Sequence, residues 1–123
     1  MSVGTEFAEM VRKNLKMNGR TRNNRGGHNL KRDIIEAIAN AVFYPGYYNE
    51  ERTALYRAAY PVYCSYTKHV MGSRVAPMVA YEIEMMTPYQ FAGFLGEMID
   101  AGVTTAFEGE IFFQNMRKAQ VAA

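Results

Sequence analysis

The chain has 123 residues, of which 49% are hydrophobic, and a formal net charge of +2. A chain of this length buries roughly two thirds of its unfolded surface, so we expect a single domain over residues 1–123. The lone Cys64 excludes an intrachain disulfide. Without an N-terminal apolar signal segment or an apolar run of about 18 residues, the sequence predicts a cytoplasmic protein with no membrane partner.

Three helices are predicted in the first sixty residues, because apolar side chains recur there every three or four positions. We expect them to begin at Thr5, Asn29 and Asn49, and to end near Gly19, Gly46 and Pro61. Their apolar faces are Phe7, Met10 or Val11, and Leu15; then Leu30, Ile34, Ile38 and Val42; then Leu55, Tyr56, Ala59 and Tyr60. Between the first two helices lies a predicted flexible basic loop at 18–29.

The middle of the chain is less regular. Residues 62–70 suit a strand by composition, but Val62, Tyr66 and Val70 repeat at four, and we prefer a helix there. Residues 78–86 alternate apolar and polar side chains, which is typical of a half-buried strand. A strand needs a partner, and the alternative strand at 62–70 could supply one.

Two further helices are expected near the C-terminus. Thr87 to Gln90 and Thr105 to Glu108 both have the capping-box pattern. The first helix then carries Phe91, Phe94 and Leu95 on one face, and the second carries Phe107, Ile111, Phe112 and Met116. We expect Ile34, Ile38, Phe91, Phe94, Leu95 and Ile111 to share one core.

These elements predict a mainly α fold, with α+β as the alternative. The expected architecture is a compact single domain of about five or six helices with one short strand, or a two-stranded element near 62–70 and 78–86. No internal repeat and no linker that would divide the chain is evident.

Positive charge is concentrated near the N-terminus. Residues 1–33 hold eight Lys or Arg against three carboxylates, a net +5, whereas residues 34–123 hold six against nine, a net −3. No carboxylate interrupts residues 12–32, which we call the basic segment. Its candidate partner-binding residues are Arg12, Lys13, Lys16, Arg20, Arg22, Arg25, His28, Lys31 and Arg32. Such a segment predicts an anionic partner, either a nucleic acid or an acidic protein surface.

Seven of the nine tyrosines lie between residues 44 and 66. Tyrosine rings supply rigid contact area with a hydroxyl that tolerates water, so Tyr47, Tyr48, Tyr56 and Tyr63 are further partner-binding candidates. The alternative interpretation is a tyrosine-rich core edge, because Tyr56, Tyr60 and Tyr63 are at helical spacing.

The leading hypothesis is therefore a small non-catalytic binding protein. Its composition suggests an accessory or inhibitor protein of viral or mobile-element type, although no motif supports that suggestion. The alternative is a structural or assembly subunit that forms a homo-oligomer through its Tyr- and Met-rich surface. A third hypothesis is a metal-dependent hydrolase that uses Glu82 and Glu84, which would share one face of the predicted strand.

We expect no enzyme, no cofactor and no metal site, because no catalytic or nucleotide-binding motif is present. Cys64 and His69 are five residues apart, which places them on different faces of a helix or a strand. We interpret Cys64 as a small buried hydrophobe.

Overall fold

A computed structural model describes residues 1–17, 28–68 and 77–122. These residues form seven helices: α1 (Val3–Met17), α2 (His28–Phe43), α3 (Glu50–Ala58), α4 (Tyr60–Tyr66), α5 (Pro77–Met85), α6 (Pro88–Asp100) and α7 (Ala106–Ala122). The mainly α prediction is confirmed, and the preferred helix beginning in the sixties is α4. None of these seven helices is long and apolar enough to cross a membrane.

The predicted strand at 78–86 is wrong, because Pro77–Met85 is helical. Pro77 suits the first position of a helix, and Ile83 is buried while Tyr81 and Met85 are exposed. The alternation therefore arose from a short helix that carries apolar side chains on both its inner and outer faces. With no strand in the described residues, neither the two-stranded element nor the α+β alternative is present there.

Several predicted helix ends are confirmed by their caps. The Asn49 side chain accepts a hydrogen bond from the Arg52 amide at 2.8 Å, and Thr87 and Gln90 form a reciprocal capping box. After α2, Gly46 adopts a φ of +96°, a conformation that glycine takes without strain. The expected Thr5 cap is wrong, since α1 begins at Val3.

The N-terminus of α1 is instead held by the C-terminal end of α6. Asp100 accepts hydrogen bonds from the Gly4 amide at 2.8 Å and from the Ser2 hydroxyl at 2.7 Å. A carboxylate at this position satisfies free amides and complements the helix dipole. The two helices also approach at Gly4 and Gly96, where a Cβ on either residue would collide with the other's backbone carbonyl.

The core is shared by α1, α2, α4 and α6, with contributions from the remaining helices. Of the predicted shared core, Ile34, Ile38, Phe91, Phe94 and Leu95 are buried as expected. The prediction that Ile111 is a core residue is wrong, because Ile111 is 43% exposed and Phe113 is the buried residue of α7. The helical phase is fixed by Gly109, which packs so closely on Ser65 of α4 that a Cβ there would meet the Ser65 side chain.

Candidate functional site

The basic segment is divided by the structure into fixed and free cations. Lys13 on α1 and Arg32 on α2 are exposed on either side of the connection formed by residues 18–27. Three predicted contact residues, Arg20, Arg22 and Arg25, lie in that connection and so outside the described residues. Lys16 and His28 belong to α1 and α2, but their side chains are likewise outside the description. His28 and Asn29, predicted as the end of the loop, already belong to α2.

Arg12 is tied to the start of α6. Its Nε donates a hydrogen bond of 3.1 Å to the Tyr89 carbonyl, and its guanidinium carbon lies 3.9 Å from the centre of the Tyr89 ring. A cation over an aromatic face is electrostatically favourable. Arg12 therefore fastens α1 to α6.

Lys31 requires a correction, because its side chain is only 3% exposed and is not available to a partner in this conformation. Its ammonium donates hydrogen bonds to the carbonyls of Ile83 at 2.8 Å and Glu84 at 2.5 Å. These carbonyls are at the C-terminal end of α5, where a helix favours positive charge. Burial lowers the pKa of Lys31 to about 8, partly offset by the attraction of Glu84.

The tyrosines are also divided by the structure. Tyr56 is 5% exposed and packs edge-on against Phe7, with ring centres 6.0 Å apart, so its ring does not reach a partner. Tyr48 and Tyr63 are half-buried, whereas Tyr47 is exposed. The expectation that at least one of these four rings is largely exposed is confirmed by Tyr47.

A group of exposed aromatic side chains surrounds the turn that follows α2. Phe43, Tyr44 and Tyr47 are 62%, 66% and 72% exposed. We call these three residues the aromatic tip. Phe43 is not among the predicted contact residues, because it lies outside the four-residue apolar repeat that predicted α2. Its position directly before Tyr44-Pro45-Gly46 was the available signal.

Ring contacts hold the aromatic tip in place. Phe43 meets Tyr60 edge-on with ring centres 6.0 Å apart, and Tyr60 contacts Tyr63 at 5.8 Å. Tyr47 meets Tyr48 at 5.0 Å, and Tyr48 in turn contacts the buried Tyr56 at 5.1 Å. Burial raises the pKa of both Tyr48 and Tyr56, as expected for phenols withdrawn from water.

On α2 itself, Arg32 lies in the N-terminal half, whereas the aromatic tip begins at the C-terminal end. The helix has 16 residues, and a rise of about 1.5 Å per residue separates its ends by roughly 22 Å. Lys13 on α1, in contrast, lines a groove together with Asn49 and Arg52, which follow the aromatic tip along the chain.

A third feature is an open groove of about 550 Å³ between α1 and α3. Its floor includes Met10 and Leu55, and its walls include the carboxylates of Glu6, Glu9 and Glu51 together with Lys13 and Arg52. Arg52 donates a hydrogen bond of 3.1 Å to the Asn14 side chain across this groove. The mixed charges give the groove no clear preference for a ligand of one sign.

The hydrolase hypothesis loses its geometric basis. Residues two apart share a face in a strand but point about 200° apart on a helix, so Glu82 and Glu84 on α5 do not form the expected pair. Among the described residues, no three His, Cys, Asp or Glu side chains are placed to hold a metal ion. Cys64 is half-buried and His69 lies outside the described residues.

No protein-family model, curated protein or solved structure matches this chain.

Proposed function

We propose that the protein is a non-catalytic binding protein that engages an anionic partner through the basic segment. The observation that carries this proposal is the position of the exposed Lys13 and Arg32 on both sides of a connection that contains three more arginines and no carboxylate. Concentrated cations of this kind attract polyanions by neutralising charge and releasing counterions. Lys31 is excluded from the contact set because it is buried.

A phosphate backbone is the partner we favour. The basic segment contains no Phe, Tyr or Trp, so it lacks the large rings on which unpaired bases usually stack. Its Lys, Arg, Asn and Gly residues are the kinds that contact phosphate oxygens through side chains and backbone amides. We therefore expect binding with little dependence on nucleotide sequence. An acidic protein surface is the competing partner.

Single charge removals test this proposal. Lys13→Ala and Arg32→Ala each remove one exposed cation of the basic segment, and Lys68→Ala removes one that follows α4 and pairs with Glu110 at 3.2 Å. Affinity for a short duplex DNA, a single-stranded RNA and polyglutamate would be measured by fluorescence anisotropy at low ionic strength. The Lys13→Ala/Arg32→Ala double variant should weaken nucleic-acid binding about tenfold, in line with two lost phosphate contacts.

The control should leave affinity unchanged. Equal losses for Lys68→Ala and for the double variant would show that net charge, rather than the basic segment, determines binding. Polyglutamate binding without nucleic-acid binding would identify an acidic protein as the partner. If none of the three polyanions binds, the proposal is wrong.

A further inference from the structure

The aromatic tip exposes more apolar surface than isolated side chains do. An aromatic side chain can bury about 150–250 Å², so three rings that are about two thirds exposed present on the order of 400 Å² on one protomer. The largest apolar patch of a typical monomer is about 300–600 Å² and is often functional. This patch is extended by the neighbouring rings of Tyr48, Tyr60 and Tyr63. Its size therefore indicates that another molecule covers it.

Two of the three rings of the aromatic tip are held by neighbouring rings before any partner arrives. Phe43 is braced by Tyr60, and Tyr47 is braced by Tyr48, which contacts the core through Tyr56. Tyr47 also donates its backbone amide to the Tyr44 carbonyl at 3.2 Å, which closes the turn. Ordering costs on association are small for rings that are already positioned. The aromatic tip therefore has the rigidity of an interface centre.

Charges of both signs lie around the aromatic tip. Burial and Tyr47 raise the pKa of Tyr48, Arg52 lowers it, and Glu36 raises it less strongly, so a base and an acid both lie near this ring. Glu50 begins the helix that follows the turn. The Arg57 Nε donates a hydrogen bond of 3.3 Å to the carbonyl of Ala41, which lies two residues before Phe43. A border with both signs is self-complementary, because a two-fold axis can place the acids of one copy against the bases of the other.

We propose that the aromatic tip is the contact by which two copies of this chain associate, with Phe43, Tyr44 and Tyr47 of each copy packed around a two-fold axis. Standard interfaces bury about 800 Å² from each partner. The aromatic tip supplies about half of that area, and the half-buried neighbouring tyrosines and the charged border supply the rest. This contact uses none of the cations of the basic segment, so it can be tested separately from the proposed anion binding.

The test is the mass of the protein in solution, measured by sedimentation equilibrium over a wide concentration range, at high salt and without any nucleic acid. We expect the wild type to reach twice its 14.0 kDa chain mass. The Tyr44→Ser/Tyr47→Ser variant should raise the dimer dissociation constant about 10⁴-fold, since the two-fold axis removes four rings and each aromatic anchor of an interface contributes roughly tenfold. Circular dichroism would establish that the variant is folded. If the double variant is not folded, the single variant Tyr47→Arg replaces it in the same measurement.

The matched control is Phe107→Ser/Ile111→Ser, which removes two exposed apolar side chains from the outer face of α7. It should leave the dissociation constant unchanged. A wild type that stays monomeric at every concentration overturns the proposal. So does a dimer that survives the aromatic-tip variant, or one that only the control variant disrupts.

Discussion

The Lys31 ammonium donates a hydrogen bond of 2.8 Å to the Ile83 carbonyl, which joins the first turn of α2 to the last turn of α5. Lys31 belongs to the basic segment, and its hydrogen bond holds α5, the helix that the sequence predicted to be a strand. The same ammonium donates a hydrogen bond to the Glu84 carbonyl and lies 5.8 Å from the centre of the Phe91 ring. Its burial has a consequence for stability that can be measured.

Stability should rise with pH between about 7 and 9.5. The folded-state pKa of Lys31 is about 8, below its ordinary value of 10.5, so the unfolded chain binds more protons in this window. Linkage at about 1.4 kcal/mol per pH unit and proton predicts a gain of about 2 kcal/mol. Urea unfolding across this range would measure it.

Lys31→Met should remove this gain, because the titrating group is gone. Lys68→Met, which replaces an exposed lysine in an ion pair, is the control and should retain it. Parallel pH profiles for the wild type and Lys31→Met would contradict the buried position of the amine.

Tyr66 should act in the opposite direction at higher pH. Burial, assisted by the negative charge of Glu84, raises the pKa of Tyr66 from 10 to about 12. A raised folded-state pKa means that the phenol contributes stability below pH 10, which is lost as pH rises toward 12. Tyr66→Phe should therefore reduce the alkaline loss of stability by about 2 kcal/mol. The difference between the two unfolding profiles over pH 10–12 isolates this residue from the other tyrosines.

The contact between α1 and α6 should be sensitive to one methyl group. In Gly96→Ala, the new Cβ would meet the Gly4 carbonyl, and only a shift of a whole helix backbone relieves the collision. We expect a loss of about 1–3 kcal/mol. Gly93→Ala is the matched control in the same helix, because its Cβ meets only the guanidinium end of Arg12. That flexible side chain can move, so the gain in helix propensity of up to about 1 kcal/mol should offset most of the cost.

Phe94 and Ile111 should differ sharply although both were predicted to be core residues. Phe94 is buried and contacts Phe113 with ring centres 5.3 Å apart. Phe94→Ala should cost about 3–5 kcal/mol, a large part of the 5–15 kcal/mol that typically stabilises a domain. Ile111→Ala should cost under about 1 kcal/mol, as expected for a largely exposed position. Similar losses in urea melts would mean that the helical phase of α7 is misassigned.

Local signals explain which predictions succeeded. Thr87 with Gln90, and Asn49 before two glutamates, are caps that depend on neighbouring residues only, so α6 and α3 could be recognised from the sequence. The four-residue repeat of Ile34 and Ile38 identified the buried face of α2 for the same reason.

Tertiary contacts explain the failures. Nothing near Lys31 in the sequence indicates that the end of α5 covers it. On α7, Ile111 and Phe113 are both apolar, and only the close packing of Gly109 against Ser65 decides which of them faces inward. The exposure of Tyr47 and the burial of Tyr56 likewise depend on how α3 packs against α1, which periodicity cannot reveal.

The salt dependence of binding tests the central claim most directly. Affinity for duplex DNA would be measured at several salt concentrations for the wild type and for Arg20→Ala/Arg22→Ala/Arg25→Ala, with thermal melts to establish that the triple variant keeps the wild-type midpoint. We expect log affinity to fall linearly with log salt, by about 0.9 for each phosphate contact, and the triple variant to reduce that slope by up to about three contacts. An unchanged slope in a stable triple variant, or no binding to DNA or RNA at low salt, would contradict a phosphate-binding role for the basic segment.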